Sequence, residues 1–458
     1  MLSKTIVIST LLLLSMVAYA SPVEYVPGEV IVRLKKTASV SSYAGISDVK
    51  HSEFKVMKVD KNKDIYAAIN ELALNPDVEF AEPNYIFHIS TTPNIKLWAL
   101  KNTGQAISHT PGVTGEWIYP SDTSTSGTSG DDIDAVSAWS IFNDCSSIIV
   151  AIIDTGVKYD HSDFIGNMWD GLPTYPNHGY NFIANEDHNN PTTSNNPMDT
   201  CGHGTHVAGI IGASGTVSGV CGNVKLMAVK SFGSDGAASS ATIVSGIGFA
   251  IDNGANIINA SFNIYSYSAA LSTEIAAAKS AGILFVAAAG NGLNDDGNGY
   301  NVDTGTQTYP CGFTQDNVLC VAALDQNFDL ASFSNYGATS VDVAAPGTNI
   351  YSTWCTSPTC LNSTGCGCGG GNHGICAAAS PYAIENGTSM ATPYAAGLAA
   401  LVWANNPSFT YLDVKNAVMY GGTAVSSMSG KSVSGNVINA VSALAYINSP
   451  TGLAAKVQ

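Results

Sequence analysis

Ile148-Ile149-Val150-Ala151-Ile152-Ile153-Asp154-Thr155-Gly156 sets six consecutive apolar residues against a polar turn. A run that is apolar at every position, rather than at alternate ones, reads as a strand buried on both faces. Working outward, residues 283–288 and 318–322 are apolar throughout and residues 224–229, 257–260 and 341–344 are apolar but for Lys225, Asn259 and Asp342; all five also read as buried strands. Between them, residues 241–252, 269–281 and 390–403 carry apolar and Ala positions at helical spacing. Doubly buried strands alternating with helices predict an α/β fold with a mostly parallel central sheet and helices on both faces. Such sheets gather ligands at the carboxyl ends of their strands, which is where Asp154 falls.

The flanks of this core differ in composition. Residues 5–17 are largely apolar behind Lys4, and Ala18-Tyr19-Ala20 forms a small-x-small cleavage site, so residues 1–20 are expected to be a signal peptide. About 13 apolar residues fall short of the roughly 20 that span a bilayer, which argues against a membrane anchor there. Residues 21–90 hold ten acids and eight basic residues, whereas residues 91–458 hold 25 acids, nine Lys and no Arg, a net of −16. That balance argues against nucleic acid as a partner, because phosphate binding needs a basic footprint. The Lys-rich, Cys-free stretch 21–93 is expected to be a separate small α+β unit. It has an alternating strand at 28–34, a helix capped by Asp64 and an extended VEFAEPNYIFH at 78–88, where Pro83 discourages helix. All ten Cys lie beyond residue 140, and an even number in a secreted chain predicts disulfides. Cys311 and Cys320 flank a short loop and are candidates to pair, while Cys201 reads equally as a thiol or half of a disulfide. Residues 355–379, rich in Cys and Gly, read as an irregular insertion.

Three motifs carry chemistry. Asp154 opens DTG at a strand end. His203 and His206 lie three apart in DTCGHGTHVAG (199–209), without the HExxH pattern or carboxylate spacing of a metal site. Ser389 lies in NGTSMATP (386–393), where Pro393 requires the following helix to be in its first turn. At a helix N-terminus the backbone N–H groups are free and the dipole favours negative charge, which suits a nucleophile that generates an oxyanion. An ordinary capping serine competes with that reading when the motif stands alone. The chain order Asp, His, Ser differs from that of chymotrypsin-like proteases and of α/β-hydrolases. The G-x-S-x-G elbow of an esterase is missing, since Ala391 stands where the second Gly belongs.

IIDTGV, GHGTHVAG and NGTSMATP resemble the three signature blocks of the subtilisin-like (subtilase) family, and residues 98–104, 331–337 and 345–347 extend the likeness over most of 95–445. The resemblance implies a subtilisin-like three-layer fold over 94–446, followed by a tail at 447–458. It implies a serine endopeptidase acting through an acyl-enzyme, with His203 rather than His206 as general base, Asp154 orienting it and Ser389 attacking. AAGN (288–291) would supply Asn291, which joins the Ser389 N–H as oxyanion donor. Gly236-Ala237-Ala238 and Ser261-Phe262-Asn263 would clamp an extended peptide, with Ala288, Ala289 and Gly290 walling the pocket for the residue before the cut. Asn263 departs from the family's usual Gly and is expected to narrow that pocket's rim.

PGEVIVRLK and VEFAEPNYIF resemble the inhibitor-type (I9) propeptide of subtilases, which implies a self-processing zymogen cut between about His88 and Lys96. Protein or peptide substrates, the chain's own propeptide as intramolecular inhibitor, a monomer and no membrane partner follow, in an extracellular, vacuolar or vesicular setting. No cofactor is needed for this chemistry. Structural Ca²⁺ is a family habit, for which Asn185, Glu186, Asp187, Asn190 and Asp199 offer oxygens. Cys366, Cys368, His373 and Cys376 are spaced like a zinc knuckle but are expected to form disulfides. Of three glycosylation sequons, only Asn362 is expected to be used. The competing reading of the whole chain is a catalytically inactive subtilase that acts as a secreted binding module.

Overall fold

The computed structural model describes residues 25–35, 45–48, 55–85, 96–107, 126–187, 189–355 and 380–446. The expected signal peptide, the end of the leading unit after residue 85, most of the Cys/Gly-rich insertion with Asn362, and the tail from 447 lie outside the described residues. The chain divides into two compact units, residues 1–92 and 93–458.

The smaller unit is a four-stranded antiparallel sheet with one helix. β1 (Tyr25–Leu34) pairs with β3 (Lys55–Lys58) and with β4 (Val78–Tyr85), and β2 (Ile46–Asp48) adds to β3. The helix α1 (Ile65–Ala73) starts where Asp64 accepts a hydrogen bond from the Ala67 N–H, as the sequence leads one to expect of that cap. Val30, Val32, Met57 and Ile65 make its small core.

The larger unit is built on a nine-stranded sheet. β5 (Ile149–Asp154) is paired in parallel with β7 (Lys225–Lys230) on one side and with β8 (Ile257–Ala260) on the other. Outward from β8, still parallel, come β9 (Leu284–Ala288), β10 (Val318–Leu324) and β11 (Val343–Pro346); outward from β7 comes β6 (Gly179–Asn181). All six apolar runs read from the sequence are strands of this sheet. Every residue of β8, β9, β10 and β11 is buried, and because successive side chains point to opposite faces, both faces must be covered. The cover comes from α3 (His203–Gly212) packed on α6 (Thr388–Asn405), and from α4 (Ser240–Asp252) packed on α5 (Ala269–Ser280). A short α2 (Ala135–Trp139) precedes β5, and α7 (Tyr411–Tyr420) and α8 (Ala440–Tyr446) follow α6.

Small pieces escape an apolar pattern. β12 (Ile350–Thr353) and β13 (Tyr382–Glu385) form an antiparallel hairpin, and β14 (Thr423–Ala424) and β15 (Asn436–Val437) close the sheet edge. Disulfides join Cys145 to Cys221 and Cys311 to Cys320, and Cys201 and Cys355 are also disulfide-bonded. Cys201 is therefore not a thiol.

Candidate active site

Asp154 is the last residue of β5, and the backbone leaves the sheet directly behind it. The Thr155 N–H donates to Asp154 Oδ1 at 2.7 Å, and the His203 ring Nδ1 meets the same oxygen at 2.8 Å. Asp154 is buried, while the His203 side chain keeps 20% of its surface exposed. With Nδ1–H committed to the carboxylate, Nε2 is left as the acceptor. Burial acts to lower the His203 pKa, but Asp154 beside the ring, helped by Glu385 and Asp199, outweighs it and holds the pKa above the ordinary value. His206, one turn further along α3, is fully buried, and its Nε2 lies 3.0 Å from the Ile350 carbonyl, which makes that nitrogen a donor. Burial, with His203 nearby, pushes its pKa down to about 3.

Asp199 anchors the turn that leads into α3. Its Oδ1 accepts from the Thr155 hydroxyl and from the Cys201 and Gly202 N–H groups, each at 2.9 Å, and its Oδ2 accepts from the Thr205 N–H at 2.9 Å. The Thr155 hydroxyl in turn accepts from the Gly204 N–H at 3.0 Å, so the Asp154 turn and the His203 helix are tied at two points.

Ser389 is the second residue of α6. Its hydroxyl donates to the Ser261 carbonyl at 3.0 Å, and the Ser261 hydroxyl donates to the Ser389 carbonyl at 2.9 Å. The second bond has a cause elsewhere in the helix. Pro393, placed by the sequence in the first turn, is the sixth residue of α6. It has no N–H to give the carbonyl four residues back, so the Ser389 oxygen is orphaned and takes the Ser261 hydroxyl instead.

Asn291 follows β9 and faces the start of α6. Its Oδ1 accepts from both the N–H and the hydroxyl of Thr388, each at 2.9 Å, and the backbone donor fixes which end of the amide is oxygen. The Nδ2 donor is thereby turned the other way. A Cβ built on Gly387 would lie 3.6 Å from Asn291 Nδ2 and 3.6 Å from the Ser389 N, so both donors border the space that the missing side chain leaves. Gly387, at φ +156° and ψ 159°, occupies a backbone region open essentially to glycine alone.

The residues expected to hold substrate fall in two groups. Ala288 and Ala289 are buried at the end of β9, and Gly290 (φ +98°) brings its backbone so close that a Cβ would meet Asn263 Nδ2 at 3.1 Å and Asn335 Nδ2 at 2.8 Å. Asn263 thus sits against the AAGN turn, in the space its side chain was expected to narrow. Phe262 packs on Phe232 with ring centroids 5.3 Å apart, which links the 261–263 segment to the other edge. There, Gly236 and Ala237 form a tight turn closed by the Gly233 N–H on the Ala237 carbonyl at 2.9 Å.

Asn335 and Lys230 escaped the sequence reading as site residues, and Glu186 was read there only as an oxygen for Ca²⁺. Asn335 accepts from the Gly292 N–H at 3.1 Å and donates to the Ala289 carbonyl at 3.2 Å, bracing the turn that carries Asn291. Lys230 and Glu186 brace the opposite side. The signal for Lys230 was present as a charge that directly follows the apolar run Leu226–Val229.

The subtilase family model matches residues 146–435, and a model for the fervidolysin N-terminal prodomain matches residues 15–84. The chain belongs to the subtilase family. A thermophilic serine proteinase of Bacillus sp. (strain AK1) is 33% identical over 393 residues, 82% of this chain and 78% of the relative. An alkaline protease of Alkalihalobacillus alcalophilus is 36% identical over 62% of this chain and 60% of its own length. Subtilisin Savinase of Lederbergia lenta is 35% identical over 62% of this chain and 86% of its own. A solved cold adapted subtilisin-like serine proteinase aligns with TM-score 0.48 at 26% identity, covering 65% of this chain and 88% of that one. This subtilase is a subtilisin-like serine protease that carries a prodomain.

The oxygen cluster considered for Ca²⁺ does not fit a cation in this subtilase. Every Asp199 bond above is a protein donor to its carboxylate, and Glu186 faces Lys230 and the Ser234 N–H. Asn185 is turned onto Thr192 and Asn190, and Asp187 onto Asn189. No helix among the described residues is long and apolar enough to cross a membrane.

Proposed function

We propose that this subtilase is an active endopeptidase in which Asp154, His203 and Ser389 act as one catalytic unit. The observation that carries the reading is the 2.8 Å contact of His203 Nδ1 with Asp154, which leaves Nε2 as the basic nitrogen. Ser389 Oγ attacks the scissile carbonyl carbon as its proton passes to His203 Nε2, and Asp154 stabilises the imidazolium. The carbonyl oxygen becomes an oxyanion between the Asn291 Nδ2 and Ser389 N–H donors. Collapse breaks the C–N bond, and His203 returns the proton to the leaving amine. Water then takes the place of the amine, and the same steps in reverse release the acid and restore Ser389. At rest the Ser389 hydroxyl donates to Ser261 O, so that bond is given up before the transfer.

Residues 21–93 act in this reading as an intramolecular inhibitor removed by self-cleavage after export. Residues 94–446 are the catalytic domain, and the backbone at Gly236–Ala238 and Ser261–Asn263 receives an extended peptide. An active-site-directed fluorophosphonate tests the proposal. Mature protein labels stoichiometrically, Ser389→Ala does not, and full-length Ser389→Ala stays unprocessed. Wild type that fails to label removes it and leaves the inactive binding module, whereas a Ser389→Ala that still cleaves peptides removes Ser389 as the nucleophile.

A further inference from the structure

Lys230 ends β7 with no exposed surface at all, among carboxylates. Its Nζ donates to the Thr155 carbonyl at 2.8 Å, to the Thr200 hydroxyl at 2.9 Å and to the Phe232 carbonyl at 3.0 Å. Glu186 Oε1 lies 3.4 Å away and also accepts from the Thr200 hydroxyl at 3.2 Å, while Glu186 Oε2 accepts from the Ser234 N–H at 2.7 Å. Three protons and three short acceptors satisfy an ammonium completely, which lets a buried lysine stay charged. The pair spans two regions with separate tasks. Lys230 grips the residue after Asp154 and the turn that opens the His203 helix, and Glu186 grips the turn that holds Gly236 and Ala237.

We infer that Lys230 and Glu186 are positioning residues that lock the Asp154–His203 pair to the Gly233–Ala237 edge and set the charge His203 feels. The inference rests on the catalytic reading of Asp154 and His203. Around His203 stand Asp154 on β5, Asp199 ahead of α3, Glu385 at the end of β13 and the neutral His206 on its own helix; Lys230 interacts with Asp154, Asp199 and Glu186. The anions favour the imidazolium and the ammonium opposes it, so the two partners act on His203 in opposite directions.

The test is the pH dependence of kcat/KM for the mature enzyme on a fluorogenic peptide, with folding followed by near-UV circular dichroism. Lys230→Met removes the opposing cation, so the acid limb moves to higher pH. Glu186→Gln removes an anion, so the limb moves to lower pH, and KM rises because the Ser234 N–H loses its carboxylate. Lys230→Met/Glu186→Gln returns the limb towards wild type. A purely structural role lowers the plateau and leaves the limb in place. Should Lys230→Met not fold, Glu186→Gln alone decides: an unmoved limb, or one moved upward, overturns the inference. Loss of the catalytic reading itself is recognised separately, by a Ser389→Ala that remains active.

Discussion

Asn291→Asp separates two tasks of one side chain. The variant keeps Oδ1, and with it both 2.9 Å bonds from Thr388, but replaces the Nδ2 donor with an oxygen. The start of α6 therefore keeps its anchor while the oxyanion loses a donor. Such a donor lowers the barrier by about 3 to 4 kcal/mol, the magnitude known for a subtilisin. At about 1.4 kcal/mol per decade, kcat falls by roughly 10²- to 10³-fold. Asn291→Ala loses the donor and also both Thr388 bonds, each worth about 1 kcal/mol, so it should melt lower as well. The assay is kcat on a peptide substrate together with the rate of fluorophosphonate inactivation and a thermal melt. A folded Asn291→Asp with near-wild-type kcat refutes the oxyanion role. Equal destabilisation by the two variants, with equal loss of rate, would instead make Asn291 a scaffold only.

Gly387→Ala puts a methyl where the two donors face, and forces alanine into a glycine-only backbone region at a cost of about 1 to 3 kcal/mol. Both labelling rate and melting temperature should fall, and wild-type labelling would contradict the placement of the oxyanion. The base must be neutral to act, and the His203 pKa lies above its ordinary 6.5, so kcat/KM should decline at a higher pH than a free imidazole would dictate. A limb at or below 6.5 would contradict this. Cys145–Cys221 closes a loop of 76 residues and Cys311–Cys320 one of 9, so in the chain-entropy account their removal costs about 4.5 and about 2.7 kcal/mol. Denaturant melts of the paired Cys→Ser variants check that order. Lys415 pairs with Asp342 at 3.1 Å, both largely buried, and Lys415→Met should cost about 3 kcal/mol in the same melts while kcat stays unchanged.

The core of the fold was legible because burial on both faces leaves a simple mark. A strand whose every side chain meets apolar neighbours must be apolar throughout, and β9 and β10 show that mark along their length. The β12–β13 hairpin left none: Tyr351, Ser352 and Thr353 form no continuous apolar run, and they pair with residues some thirty positions away across the insertion. The place of Pro393, sixth in α6 and not in its first turn, has the same origin. A proline is tolerated there because Ser261, more than a hundred residues earlier, supplies the hydrogen bond that the helix lacks.

The sequence by itself determined the α/β architecture and the identity of Asp154, His203 and Ser389 as candidates, since turn chemistry and strand ends are local properties. Only the tertiary structure decided what surrounds them. It assigned Asn291 Oδ1 to Thr388, gave the Ser389 hydroxyl to Ser261 at rest, turned Cys201 from a reading open between thiol and disulfide into a disulfide, and gave the Asp199 and Glu186 carboxylates to protein donors. Each of these is a hydrogen bond or covalent bond between residues distant in the chain. Partners of that kind are chosen by packing, which brings the groups together, and not by the residue types on either side.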